Sequence, residues 1–453
     1  MKMHQTDFST GSVYRNILEV AIPMTAAQIL NLLYNVVDRI YIGRIPGAGK
    51  LALTGVGICF PIIALISAFT NLFGNGGAPL CSMERGRGND NEAEKIMGTA
   101  FSMLTLCGII IMLFSYIFYK PILFAFGASE VTFPYAKDYL NIYLSGTVFV
   151  MISVGMNPYI NSQGFGNVGM LTVLIGAVLN IILDPIFIFT LNLGVKGAAI
   201  ATVISQGVSC LWVLSFLAGK KAVLKLKRNT LKVKFQRLKS IIALGIPSFV
   251  MGFTNSLVQV TCNSTLQTFG GDLYVGIMTV LISVREIVSM PIMGLTHGAV
   301  PVMSYNYGEK AYGKVKKAIR FITVLCIVYT LIAWGLLVIL PEAFIRIFNQ
   351  DAELVATGVH SLKIYFFGFC FMAFQMAGQN TFLALGKAKQ ATFFSLFRKA
   401  IIVVPLTLIL PNILNLGVDG VFLAETVSNV LGGLACFTGM LITVKKVLKD
   451  ETV

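Results

Sequence analysis

In the stretch Gly176–Phe189, GAVLNIILDPIFIF, an amide and a carboxylate stand four residues apart among apolar neighbours. On a helix that spacing puts Asn180 and Asp184 on one face. An ionised Asp at the centre of a membrane helix costs about 2.5–3.5 kcal/mol on insertion scales, so it must face protein or a water-filled cavity and is commonly functional. Pro185 cannot donate a backbone hydrogen bond and clashes with the carbonyl of Ile181, which bends the helix and leaves that oxygen for water or a cation. Asp38, in LLYNVVDRIYIG, is a second acid inside an apolar run, and Arg39 beside it points to another face. With Thr202 they form a candidate set of hard oxygen ligands, Asp38, Asn180, Asp184 and Thr202, suited to a small cation such as Na⁺. Alternatively the two carboxylates share a proton, since two like charges do not both persist in a desolvated site.

The elements that hold these residues follow from composition. The chain has 453 residues, 56% hydrophobic and 12% charged, with a mean hydropathy of +0.80. A soluble domain of this size needs far more charge. Apolar runs long enough to cross hydrocarbon recur with short polar breaks, about twelve in all. The expected fold is an all-α integral membrane protein with two six-helix bundles related by a pseudo-two-fold axis along the membrane normal. Residues 1–218 form the N-terminal bundle, 219–240 a basic cytoplasmic linker and 241–453 the C-terminal bundle.

The formal charge of +15 would suit nucleic acid, but its placement argues otherwise. Basic residues cluster at Lys2 and Arg15, at Arg85, Arg87 and Lys95, along the linker from Lys220 to Lys239 without an acid, at Lys310–Arg320, at Lys387 and Lys389, and at Lys445, Lys446 and Lys449. All these clusters fall on one side, which is the positive-inside pattern with both termini in the cytoplasm. A cell-membrane, multi-pass protein is expected, with the lipid bilayer as partner and no nucleic acid. The first apolar run is too long for a cleavable signal. The eight cysteines lie in or beside apolar helices without metal or redox spacing and read as small buried hydrophobes, and His4, His297 and His360 are too dispersed for a metal site.

The halves repeat. LNLGVKG at Leu191–Gly197 returns as LNLGVDG at Leu414–Gly420, and Ala201, Ser205 and Gln206 meet Ala424, Ser428 and Asn429. Six spans per half give both copies the same orientation. The acids nevertheless belong to the first copy, because Asp184 aligns with Leu406 or its neighbours, Asn180 with Ile402 or nearby, and Asp38 with Cys262. Glycine-rich Gly74–Pro79 is expected to interrupt the second span and Gly294–Pro301 the eighth, for close packing or a hinge.

VDRIYIGRIPG, LFGNGGAPLCSMERGRGN, INSQGFGNVGM and LGVKGAAIATVISQ, in this order over two six-helix halves, resemble the multidrug and toxic compound extrusion (MATE) family across Tyr14–Lys446. The resemblance implies an exporter of amphipathic, often cationic small molecules driven by exchange for H⁺ or Na⁺, with no other cofactor, and a monomer. It also implies that Asp38, Asn180, Asp184 and Thr202 match the cation site of the branch resembling DinF and MepA. In the NorM-like branch further acids occur in the seventh and tenth helices, where this chain has Asn255, Gln259, Asn263, Gln375 and Gln379.

Asn31, Tyr34 and Gln206 are candidate cavity residues, as polar groups on helices that carry the proposed site. Arg285, Glu286 and Glu425 are further intramembrane charges, serving a gate or pairing between helices. GEKAYGKV at Gly308–Val315 lacks the Ser/Thr of a phosphate loop, and no catalytic triad, zinc or redox constellation occurs, so an enzyme is not expected. The alternative function is a flippase of lipid-linked oligosaccharide or a related lipid, whose cavity would carry several Arg or Lys for pyrophosphate. The cavity candidates here are acidic or neutral, which favours the antiporter.

Overall fold

The computed structural model describes residues 5–413 and 416–448. Lys2, His4, Lys449 and the Leu414–Asn415 pair of the second repeat motif lie outside the described residues. Those described form helices and connecting turns without a strand: α1 (Val13–Gly43), α2 (Gly49–Gly86), α3 (Asp90–Ala125), α4 (Phe133–Ser145), α5 (Thr147–Gly155), α6 (Asn157–Asn161), α7 (Gly166–Pro185) and α8 (Val195–Ala218), followed by α9 (Phe235–Gly308), α10 (Tyr312–Ile339), α11 (Pro341–Arg346), α12 (Ala352–Phe366), α13 (Met372–Ala384), α14 (Ala388–Leu396), α15 (Val404–Ile409) and α16 (Val418–Val447).

The 74 residues of α9 far exceed the roughly 20 that cross a bilayer. Gly271, at φ 68° and ψ −164°, leaves helical geometry and divides α9 into two spans. The segments Phe133–Ser145 and Thr147–Asn161 meet at an angle of 58° and together make one bent span. Counted so, the described residues contain twelve apolar spans, as the hydropathy pattern requires.

By its internal packing the chain divides into one unit of residues 1–7 and 26–248 and another of residues 8–25 and 249–453. The start of α1 therefore packs with the second unit and the start of α9 with the first. Within the second unit, a methyl on Gly294 or Gly298 would collide with the backbone of Thr25 or Ala21. Within the first, Gly76 packs against the backbone of Ile241 and Gly77 against the Tyr159 hydroxyl, which donates to the Phe73 carbonyl at 2.8 Å. These glycines were expected to interrupt their spans. Instead α2 and the second span of α9 run through them unbroken, and the missing side chains admit the close packing that was one of the two expected roles.

The repeated LGV(K/D)G motif has a backbone reason. Gly194 (φ 54°, ψ −130°) precedes α8, and Gly417 (φ 50°, ψ −128°) precedes α16, both in a region essentially reserved for glycine. Three residues on, a Cβ on Gly197 would lie 2.6 Å from the Phe187 carbonyl carbon, and one on Gly420 2.7 Å from that of Leu410. Each half thus turns sharply and starts its last helix against the backbone of the preceding segment.

The basic linker is bound to α3. Arg237 makes a two-pronged contact with Glu92 at 2.7 and 3.0 Å, Lys227 pairs with Glu94 at 2.6 Å, and Ser102 donates to the Leu231 carbonyl at 2.8 Å. Gly98 lets the Thr230 carbonyl approach the helix. All eight cysteines are free thiols, mostly buried.

Candidate functional site

Three helices of the first unit bring the predicted donors together. On α7, Pro185 ends regular α-helix and the chain widens into π-helical turns over Ile186–Thr190, so Asp184 sits at a local irregularity. Its side chain is fully buried, as are those of Asn180 (1% exposed) and Thr202 (5%). The Asn180 amide nitrogen donates to Asp184 Oδ1 and to Thr202 Oγ1, each at 3.3 Å. Thr202 in turn donates to the Ala198 carbonyl of its own helix at 3.0 Å. The chain of donors has one direction: hydroxyl to backbone, amide to hydroxyl and carboxylate.

Because both amide protons are used, Asn180 presents its oxygen as a free acceptor. Asp38, from α1, lies close to the same place, its carboxyl within electrostatic reach of that of Asp184. Asp38 Oδ1, Asn180 Oδ1 and Asp184 Oδ2 are buried and accept no hydrogen bond from the described residues. Buried acceptors without donors are costly, and a proton or a small cation removes that cost. The donors are all oxygens, which suit a hard ion rather than a transition metal.

Tyr34 stands one turn from Asp38 on α1, and Asn31 three residues earlier on the same face. Tyr34 lies within electrostatic reach of both carboxylates, whereas Asn31 is exposed and is held by Asn35, whose amide donates to it. Arg39 takes the opposite side and stacks over the Phe60 ring at 5.0 Å, as the sequence predicts for a neighbouring face. Gln206, one turn beyond Thr202, accepts from Ser153 of α5 at 2.8 Å.

Two residues of this neighbourhood escaped sequence reasoning. Tyr139 and Tyr143 of α4 are both buried and stack at 5.8 Å, and Tyr139 lies within electrostatic reach of Asp38 and Tyr34. Their spacing of four on one helix face was the available signal.

In the second unit the remaining predicted charges separate. Arg285 pairs with Glu425 at 2.8 Å, while Glu286, on another face of α9, is exposed and takes no part. Glu425 also receives Arg398 at 3.1 Å and Lys399 at 3.2 Å, both buried. These two cations, inside an apolar span, were overlooked in the sequence. Basic side chains thus join an acid in the buried charge cluster of this unit.

Twelve apolar spans with a buried oxygen-donor site define a multi-pass helical membrane protein of the transporter type. The MatE family model matches residues 23–186 and again 247–409, one match in each half, and the chain belongs to that family. It is a transporter and not an enzyme. Among its curated relatives, Multidrug export protein MepA of Staphylococcus haemolyticus (strain JCSC1435) is 25% identical over 424 residues, covering 93% of this chain and 92% of the relative. Multidrug export protein MepA of Staphylococcus aureus (strain NCTC 8325 / PS 47) is 24% identical over 398 residues, covering 87% of each chain. Among solved structures, a MOP superfamily transporter from Pyrococcus furiosus superposes with a TM-score of 0.92 at 22% identity, over 99% of this chain and 100% of that one. An outward-facing multidrug resistance MATE family transporter superposes with a TM-score of 0.91 at 23% identity, over 99% and 100%.

Proposed function

We propose that the protein is an antiporter that exports amphipathic, often cationic small molecules by alternating access, in exchange for H⁺ or Na⁺ bound at Asp38 and Asp184. One observation carries this reading: two carboxyl groups lie near each other in an apolar bundle beside an amide group, and one buried oxygen of each of the three lacks a donor among the described residues. A purely structural pair of acids would be expected to have donors from the protein. The curated relatives' name, multidrug export protein, supports the direction of transport and the substrate class. No relative reported above bears the name of a flippase.

The cation enters from the outer side, takes Asp38 and Asp184, and favours the state that releases cargo outward. Opening to the cytoplasm discharges it. Coupling needs only that cation and cargo favour different states or compete for one cavity. Asn180 orients the site and offers a ligand oxygen; Thr202 fixes the Asn180 amide. The protein works as a monomer, with 1–218 and 241–453 as its two bundles and both termini in the cytoplasm.

The test is efflux of a fluorescent cationic dye from proteoliposomes under an imposed ΔpH or Na⁺ gradient, comparing wild type with Asp38→Asn and Asp184→Asn. Gradient-driven efflux in wild type, lost in both variants, is the expected result. Full gradient dependence retained in Asp184→Asn would overturn the proposal.

A further inference from the structure

The second unit holds a buried charge cluster that cation exchange does not use. Arg285 of α9, Arg398 and Lys399, and Glu425 of α16 converge, with Asn429 accepting from Arg398 at 2.8 Å and Tyr365 from Arg285 at 3.1 Å. Three cationic side chains face one carboxylate, the only one paired with them among the described residues. Even with Lys399 neutral, one positive charge is left over. An uncompensated charge in a membrane interior is expensive and is retained where it has a partner to receive.

Local backbone irregularity creates this surplus. Adjacent residues on an α-helix diverge by about 100°, so consecutive cations seldom serve one point. Here the segment Phe397–Val403 is π-helical, and both Arg398 and Lys399 reach Glu425 from it. π segments inside helices frequently mark functional sites. The position within the repeat is equally informative. Ala201 corresponds to Ala424, so Thr202 corresponds to Glu425 and Gln206 to Asn429. The same face of the last helix in each half therefore carries the polar site, built from acids in the first half and from cations in the second.

Access is uneven. The side chains of Arg398, Lys399 and Glu425 are 7%, 3% and 5% exposed, but that of Arg285 is 20% exposed. Arg285 is the most exposed member of the cluster, and its planar guanidinium matches a carboxylate in two-pronged fashion. The Tyr365 hydroxyl, which accepts from Arg285, keeps its own proton to donate.

We propose that this cluster binds the carboxylate of an organic anion or zwitterion, with Arg285 and Lys399 taking the anionic oxygens in competition with Glu425. This rests on the exporter reading and adds to it a substrate class, amphipaths bearing a carboxylate.

The test measures binding without any gradient, so its outcome is separate from that of dye efflux. The purified full chain in detergent is titrated calorimetrically with 2-naphthoate and with 2-naphthalenemethanol, which share the same ring system. Naphthoate is expected to bind at least about tenfold more tightly than the alcohol, and Arg285→Gln to reduce that preference by about tenfold. Equal binding of the two compounds, or an unchanged preference in Arg285→Gln, overturns the proposal. A second variant guards against misfolding of the first. Glu425→Gln removes the internal competitor, so naphthoate should raise its melting temperature more than that of wild type. A smaller or equal rise also overturns the proposal.

Discussion

The side-chain amide of Asn180 donates to Asp184 Oδ1 at 3.3 Å, one helical turn along α7. The other amide hydrogen goes to Thr202, so the amide cannot rotate without losing two bonds, and its oxygen is left as a buried acceptor without a donor. A residue that the sequence offers as a candidate ligand is thereby held in one orientation by Asp184 and Thr202.

Asn180→Ala removes the oxygen and leaves Asp184 without its amide donor. Hydrogen bonds to charged groups contribute about 1.5–3 kcal/mol, so the cation concentration for half-maximal dye efflux should rise about tenfold or more. The cation dependence of efflux measures this, and an unchanged curve would confine Asn180 to packing.

Thr202 acts through Asn180. Thr202→Val keeps the shape but removes the hydroxyl that accepts the amide, and should weaken cation dependence by a few fold, about 1 kcal/mol. Thr202→Ser should restore it. Equal behaviour of the Val and Ser variants would show that the hydroxyl does not matter.

On the proposed mechanism protons and Na⁺ compete for the same oxygens of Asp38 and Asp184; Tyr34 lies within electrostatic reach of both carboxyl groups and Tyr139 of Asp38. Lowering the pH should therefore raise the Na⁺ concentration needed for half-maximal efflux, approaching about tenfold per unit where one proton is displaced per cation. Efflux at several pH values under a fixed Na⁺ gradient tests this sign. A Na⁺ requirement independent of pH would separate the two ions.

Gly417 isolates the backbone cost of the repeated turn, because no heavy atom lies within 4 Å of a Cβ built there. Gly417→Ala should destabilise by about 1–3 kcal/mol through its positive φ alone. Asn, which relieves only the ordinary left-handed region, should not rescue it, since ψ is −128°. Thermal unfolding in detergent reads both variants.

At Gly98 the cause is steric, for a methyl group meets the Thr230 carbonyl of the linker. Gly98→Ala should lift the linker from α3 at a cost of about 1–3 kcal/mol. Arg237→Gln should cost less, about 1 kcal/mol, because Glu92 is one-third exposed. Protease sensitivity of the linker, rising in the order wild type, Arg237→Gln, Gly98→Ala, checks the ranking.

Much of the architecture was legible along the chain because the bilayer imposes it locally. Apolar length gives the spans, and the return of LGV(K/D)G gives the halves, since each copy needs glycine at the same turn and the same close approach. A spacing of four placed Asn180 and Asp184 on one face. The glycine-rich stretches pointed to close packing but not to unbroken helix, because a glycine that admits a neighbouring backbone and one that breaks a helix look alike until the neighbour is known.

The membrane class, the spans, the two-fold repeat and the rarity of an acid in hydrocarbon are all consequences of one-dimensional pattern. The folded chain was needed to show which way the Asn180 amide points, that Tyr139 stands near Asp38 with Tyr143 stacked on it, and that Arg398 and Lys399 converge on Glu425. These depend on how helices distant in the chain pack and on a π-helical turn that reorients two adjacent side chains, and the order of residues does not fix such contacts until the packing is formed.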